Sequence, residues 1–337
     1  MKSDRFSLAY LKGFVFPVLT FFVIAVPLSI IFEPLSGDLT RIGHWAERDF
    51  GWNQPQPAVV VHANGASISN PQVVVLGDSF SHPNIWQSYL AESRQLEILS
   101  FQYQDVGCVD NWLHWVAEKH YQNMHTVVIQ VVERGFVPLF RNLNKCTSRV
   151  PKSFVNAEKN LIPTRPHFGL TLDAGYLFPT AANKLRMAWA DSCITSAEVI
   201  NVPLSTERLF SNHKSNRLLY YAEDDLKINW SKKDMTTSVL NLKHIQVELA
   251  KKNLRLVVVV VPDKSSAYRH YLANDAGSVG YPDIFEQLKT AGVNNVNLLG
   301  FFQQAVGKTV DLYLPNDTHL STQGYKLMAS KVADEAF

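Results

Sequence analysis

Cysteine is scarce in this chain of 337 residues, which has only Cys108, Cys146 and Cys193. Three thiols are too few for a disulfide scaffold, and they lack the close spacing of a zinc site. Charge is thin as well. Asp, Glu, Lys and Arg make up 18% of the residues, against an average of about 25%. The net charge is only +2 and no long basic run occurs, so the electrostatic footprint of a nucleic-acid binder is missing. Repeats and low-complexity tracts are absent, and no motif asks for a metal or an organic cofactor. What remains is a length that suits one large domain with a substantial core.

Part of the charge deficit sits in one place. Between Lys12 and Glu33 lie twenty uncharged residues, Gly13 to Phe32, enough to cross about 30 Å of hydrocarbon as a helix. Lys2, Arg5 and Lys12 precede the run, so the positive-inside rule keeps residues 1–12 cytoplasmic and exports everything after the span at 13–33. A cleaved signal peptide is the alternative. The apolar run exceeds the usual core of such a peptide and no Ala-x-Ala site follows, which favours an uncleaved anchor. In an exported domain one disulfide is compatible with the cysteine count. Cys146 and Cys193 flank the same middle stretch and form the expected pair, leaving Cys108 as a buried thiol; the alternative is three unpaired cysteines.

Two short segments at opposite ends of the exported part carry chemistry. Gly77-Asp78-Ser79-Phe80-Ser81 follows the apolar run Val73 to Leu76, and Asp317-Thr318-His319-Leu320-Ser321 lies near the C-terminus. A hydroxyl is a weak nucleophile at neutral pH; it needs a base to take its proton and a third group to orient that base. Ser79, His319 and Asp317 supply these three groups. The aliphatic run reads as a buried parallel strand and a helical stretch begins near Asn84, which puts Ser79 on a strand-to-helix turn at the sheet edge where open α/β folds bind ligands. An acid two residues before the histidine has to sit on irregular backbone to reach the same imidazole.

Further strands are predicted at Glu97 to Phe101, Thr126 to Val132, Arg255 to Val261 and Val296 to Leu299, the first being Gln72 to Leu76. Helices are predicted at Asn84 to Ser93, Asn111 to Gln122, Lys233 to Lys252, Asp283 to Ala291 and Thr322 to Ala336. That alternation indicates a parallel sheet with helices on both faces. The rhythm breaks at about 137–232, a proline-rich stretch too long for one structureless loop, which reads as an insertion bordering the site. Its Arg165, Tyr176, Phe178, Arg186 and Trp189 either line a sugar-polymer groove or simply pack the insertion. Residues 34–70 read as a linker and opening segment, and 71–337 as the main domain.

The serine and Asp-x-His segments resemble the SGNH (GDSL-type) hydrolase superfamily, in particular its branch of bacterial polysaccharide O-acetyltransferases similar to those that acetylate alginate. Other elements share in the likeness: the strand ending in Glu133-Arg134, the strand running into Pro262-Asp263-Lys264 with Tyr268, and the opening segments Thr40 to Gly43 and Gly51 to Asn53. Two features depart from it. Ser79 precedes the Asp-x-His segment, as in ordinary SGNH hydrolases, and Glu133-Arg134 replaces the usual oxyanion asparagine.

The resemblance implies a three-layer α/β domain and an acetyl group passed through Ser79 to hydroxyls of a polysaccharide acceptor. It also implies a multi-pass membrane O-acyltransferase as donor partner, and a single-pass protein of the cytoplasmic membrane with its catalytic domain in the periplasm. Oxyanion or substrate contacts are sought at Gly107, Arg134, Lys264 and Tyr268. Each has a plainer role open to it: a turn glycine, a salt bridge with Glu133 or another acid, and a local loop clamp for the last two. A carbohydrate or lipid esterase on the same scaffold, and a non-catalytic polysaccharide-binding assembly subunit, are the competing functions.

Overall fold

Aliphatic runs without polar interruption must be buried on both faces, and that requirement builds the centre of the molecule. The computed structural model describes residues 2–65, 67–119, 121–143, 150–190, 192–273 and 280–337, with side chains from residue 10 onward. In chain order its strands are β1 (Val59–Val61), β2 (Val73–Gly77), β3 (Ile98–Gln102), β4 (Thr126–Val132), β5 (Lys159–Leu161), β6 (Ile194–Ser196), β7 (Val199–Pro203), β8 (Arg217–Tyr221), β9 (Arg255–Val261) and β10 (Asn295–Asn297). The central sheet has the order β10-β9-β4-β2-β3, and all of its pairs are parallel.

Side chains alternate across that sheet. Val73, Val75, Val128 and Val257 enter one core, whereas Val74, Leu76, Val127, Ile129 and Val258 enter the other. Helices Ile85–Arg94, Leu298–Val306 and Thr322–Ala336 close the first face, while Val109–Glu118, Lys232–Ala250 and Ile284–Thr290 close the second. This is the three-layer α/β arrangement that the pattern predicts. β4 and β9 begin and end where their aliphatic runs do. The expected strand Val296 to Leu299 is cut short, because Asn297 caps a helix at Leu298 by accepting a hydrogen bond from the Gly300 amide.

The long stretch between β4 and β9 has a structure of its own. It contains the helix Ala174–Trp189 and the antiparallel sheet β6-β7-β8, and its β5 pairs antiparallel with β1. Residues 34–70, read as a linker and opening segment, pack into the domain. Leu39, Trp45 and Phe50 are buried against Ile194, Val199 and Leu219 of the insertion. The N-terminal helix Lys2–Phe32 runs through Pro17 and Pro27 without a break. Its segment Tyr10–Phe32 is, among the described residues, the one helix long and apolar enough to cross a membrane.

The cysteines depart from the expected pairing. Cys193 is free and exposed, so the Cys146–Cys193 bridge is not made. Cys108, expected to be a buried thiol, is disulfide-bonded and only half-buried; Cys146 lies outside the described residues. The Cys108 sulfur also accepts the Asn111 amide at the start of the helix Val109–Glu118. Cys108→Ser is therefore expected to lower stability by about 2–4 kcal/mol. Cys193→Ser, on the surface, should change it by less than about 0.5 kcal/mol. Equilibrium denaturation without reductant checks both.

Candidate active site

Where β2 ends the chain must turn sharply beneath its neighbour, and glycine alone fits there. A Cβ on Gly77 would stand 2.2 Å from Ser81 Oγ and 2.7 Å from Gln130 Oε1. The side chain of Asp78 then accepts hydrogen bonds from the amides of Phe80 and Val132 and from the Gln130 amide group, tying the turn to the end of β4. Ser79 lies on this turn. The helix predicted from about Asn84 begins at Ile85, after Asn84 in a left-handed conformation at φ 57°. Ser79 thus stands in a turn of its own, apart from the first helical turn.

The second segment arrives from the far end of the chain. Residues 314–319 form an irregular loop closed by the Tyr313–Leu320 bridge and by the Leu314 amide donating to the His319 carbonyl at 3.1 Å. Within the loop Asp317 Oδ1 accepts both the His319 backbone amide at 2.9 Å and the imidazole Nδ1–H at 2.7 Å. On the other side of the ring, the Ser79 hydroxyl donates to Nε2 at 2.9 Å. The bonded network sets this tautomer, with Nδ1 protonated and Nε2 free to take a proton. Phe80 packs on the ring with centroids 4.8 Å apart.

The electrostatics follow from this geometry. Burial alone would raise the Asp317 pKa, but the hydrogen bond and charge of His319, with the His319 and Asp38 amides, hold it at about 2. Burial would likewise lower His319; the hydrogen bond and charge of Asp317, with Asp38 and Asp78 adding, outweigh it and raise the imidazole above its ordinary value. The ring is therefore a stronger base than free imidazole, oriented by a carboxylate that remains ionised.

Lys264, sought as a substrate contact, is instead the clamp of this loop. Its buried Nζ donates to the carbonyls of Leu314 (2.7 Å), Pro315 (3.0 Å) and Asp317 (3.0 Å). Burial brings this ammonium down to about 7, although Asp317, Asp224 and Asp311 pull the other way. Tyr268 is buried behind the loop. Its hydroxyl accepts the Tyr313 amide and its ring stacks on Phe210, so it does not meet substrate.

Arg134 is not an oxyanion donor either. Its Nη1 is held by Asp263 at 2.7 Å and Asp224 at 3.2 Å, carboxylates that would repel an oxyanion. Glu133, its chain neighbour, binds Lys227 instead. Gly107 ends the short helix Tyr103–Val106 at φ 81°, a turn position that favours glycine, and does not line the cavity around Ser79.

That cavity, of about 370 Å³, is walled by Trp52, Gln56, His82, Ile85, Leu161 and Pro163 beside Ser79, Asp317 and His319. Leu161 and Pro163 come from the insertion, which thus borders the site. Its five residues considered for a groove do not reach the cavity: Arg165 is buried on Glu33, Tyr176 packs against the N-terminal helix, and Phe178, Arg186 and Trp189 face solvent. His82, three residues beyond Ser79, also lines the cavity.

Sequence reasoning also missed Asp38. Its amide donates to Asp317 Oδ2 at 3.1 Å and its carboxylate lies 3.9 Å from His319 Nδ1. Gly37 beside it packs so closely that a Cβ would sit 2.1 Å from the Asn316 carbonyl oxygen. Asp38 and Asp317 are 279 residues apart, so no local pattern links them.

Residues 215–336 match the family model described as the SGNH hydrolase-like domain of acetyltransferase AlgX. Over 98 residues the chain is 26% identical to the probable alginate O-acetylase AlgJ of Pseudomonas aeruginosa, an alignment covering 28% of this chain and 25% of that relative. These matches support an SGNH hydrolase-like domain similar to those of the alginate-type O-acetyltransferases. The family match includes Lys264, Asp317 and His319 but not Ser79, which joins them through the 2.9 Å contact.

Two outcomes follow for the relay. A protonated imidazole cannot accept the Ser79 proton, so activity should rise with pH through a midpoint above the ordinary histidine value of about 6.5. Asp317→Asn removes the main groups that raise this pKa, so the midpoint should move to lower pH while kcat falls about 10³- to 10⁴-fold; pH–rate profiles of both proteins measure this. Lys264→Met strands three buried carbonyls and should cost about 2–4 kcal/mol in denaturant unfolding, with a loss of kcat even where the variant is fully folded.

Proposed function

We propose that this protein is a membrane-anchored, exported O-acetyltransferase that moves an acetyl group through a Ser79 acyl-enzyme onto hydroxyls of a cell-surface or secreted polysaccharide. The observation that carries the reading is the Ser79–His319–Asp317 relay, continuous at 2.9 and 2.7 Å, in a domain matching an acetyltransferase family.

In the first step Ser79 Oγ attacks the donor's acetyl carbonyl and its proton passes to His319 Nε2. Collapse of the tetrahedral oxyanion expels the donor's leaving group, which takes that proton. In the second step a sugar hydroxyl gives its proton to Nε2 and attacks the acetyl ester; Ser79 leaves and is reprotonated. The Ser79 backbone amide is the natural first oxyanion donor. Near the relay, Tyr325 Oη and Gln56 Oε1 are buried without a hydrogen-bond partner, and both residues line the cavity. They suit a hydroxyl-bearing acceptor, which can both give and take hydrogen bonds.

The N-terminal span fits a single-pass anchor with the catalytic domain on the periplasmic side. Acetyl-coenzyme A is not at hand there, so a multi-pass membrane O-acyltransferase is the donor partner that this reading calls for.

The test is intact-mass analysis of the protein incubated with an activated acetyl ester, with and without acceptor oligosaccharides, beside Ser79→Ala. A single acetyl adduct, absent in Ser79→Ala and discharged onto sugar far faster than to water, is the expected result. Equal discharge with and without sugar would identify an esterase, and no adduct on folded protein would leave a binding subunit.

A further inference from the structure

Residues 165–189 of the insertion lie against the end of the N-terminal helix, not against the catalytic cavity. Arg165 forms a buried ion pair with Glu33, just past that helix, at 2.6 Å. Gly169 packs on Pro34 so tightly that a Cβ would stand 2.7 Å from its ring. The Thr171 amide donates to the buried Ser29 hydroxyl. Tyr176, Leu177 and Ala181, on the helix that follows, then share an apolar cluster with Phe21, Ala25, Leu28 and Phe32 of the spanning helix and with Leu35 and Ala46 just beyond it. The helix climbs back to the domain, where the Asn183 side chain donates to the Gly43 and His44 carbonyls and Lys184 pairs with Asp49. The chain thus descends along the spanning helix and returns as a hairpin.

Depth follows from helix rise. Gly13 to Phe32 covers about 30 Å, the full hydrocarbon thickness, so Phe32 stands at its outer boundary and Ser29 about 5 Å inside it. Ala25 and Phe21 lie about 6 and 12 Å deeper. An element packed along Phe32, Leu28 and Ala25 sits within the outer leaflet, at the level of headgroups and upper acyl chains.

The outward surface of this hairpin is apolar. Phe178 (48% exposed), Leu185 (64%) and Trp189 (90%) recur at spacings of seven and four, which places them on one helix face. Phe168 (84%), Leu170 (60%) and Leu172 (38%) add to it from the descending arm. Charges are few and mostly engaged. Arg165 and Lys184 are paired as above, the Asp173 carboxylate caps the helix by accepting the Gly175 amide, and Arg186 Nη1 donates to Asn183 Oδ1. Large exposed aliphatics with a terminal tryptophan suit the headgroup–acyl boundary.

We propose that residues 165–189 form a second, non-spanning membrane contact, with the face of Phe168, Leu170, Leu172, Phe178, Leu185 and Trp189 set in the outer-leaflet interface beside the spanning helix. This rests on the membrane-anchor reading above. It fixes the domain's height and tilt over the bilayer, because Arg165 also donates to the Trp52 carbonyl and Trp52 walls the catalytic cavity. The occupant is lipid; a protein partner on the same face is the alternative that the experiment separates.

The test uses the full chain carrying Cys193→Ser, in nanodiscs of phosphatidylethanolamine and phosphatidylglycerol. Single spin labels at L170C, F178C and L185C are compared with V18C, within the span, and V247C, on an exposed helix of the domain. Oxygen partitions into lipid and a nickel chelate into water, so their relative relaxation enhancement reports depth. The hairpin labels should shift from the aqueous value of V247C toward the hydrocarbon value of V18C. Hairpin labels matching V247C while V18C reads as lipid would overturn the proposal alone. An aqueous V18C would overturn the anchor reading and the proposal with it. Hairpin labels shielded from both reagents would mark a protein contact and overturn lipid as the occupant.

Discussion

One buried ammonium carries the catalytic geometry. Two members of the relay sit on an irregular loop that no strand or helix holds, and a loop of that kind would drift without fixed partners for its carbonyls. Lys264 supplies three donors to Leu314, Pro315 and Asp317 from the end of β9. The parallel sheet sets β9 beside β4, and β4 beside β2, whose end presents Ser79. The distance between serine and histidine is thus written into strand register, relayed through one side chain, and completed by the Asp38 amide on Asp317.

A second buried assembly braces the same sheet edge. Lys227 binds Glu133 and Asp263, and Arg134 binds Asp263 and Asp224, so charges from β4, β9 and the insertion meet in one knot. Buried pairs of this kind add little net stability over apolar packing, yet removing one partner leaves a costly unpaired charge. Their effect is to lock the insertion onto the strand ends that frame the site. The positions after β4 where an oxyanion donor was sought are taken up in this bracing, and the buried polar atoms without a partner near the relay include Tyr325 Oη, Gln56 Oε1 and, in the loop itself, Asn316 Oδ1.

The sheet was legible because Val73 to Leu76, Thr126 to Val132 and Arg255 to Val261 carry almost nothing but aliphatics, and only a doubly covered strand accommodates such runs. The relay was legible because its three groups fall in two short segments. What stayed hidden depends on partners far apart in the chain. Lys264 gave no sign of clamping a loop some fifty residues away, and the pairing of Cys108 rather than Cys193 has no local signature. The sheet β6-β7-β8 was missed because it lies in the proline-rich stretch where no strand–helix alternation marks its strands, and β6 has only three residues. The helix Leu298–Val306 was misjudged because an apolar stretch beside a true strand reads equally well as either.

The most direct measurement is reaction of the folded, full-length protein with a fluorophosphonate, a reagent that modifies only an activated serine, followed by peptide mapping. The account predicts stoichiometric phosphonylation of Ser79, slowed at least 100-fold in His319→Ala, as expected when a nucleophile loses its base. Modification at another serine, or an equal rate at Ser79 without His319, would contradict it.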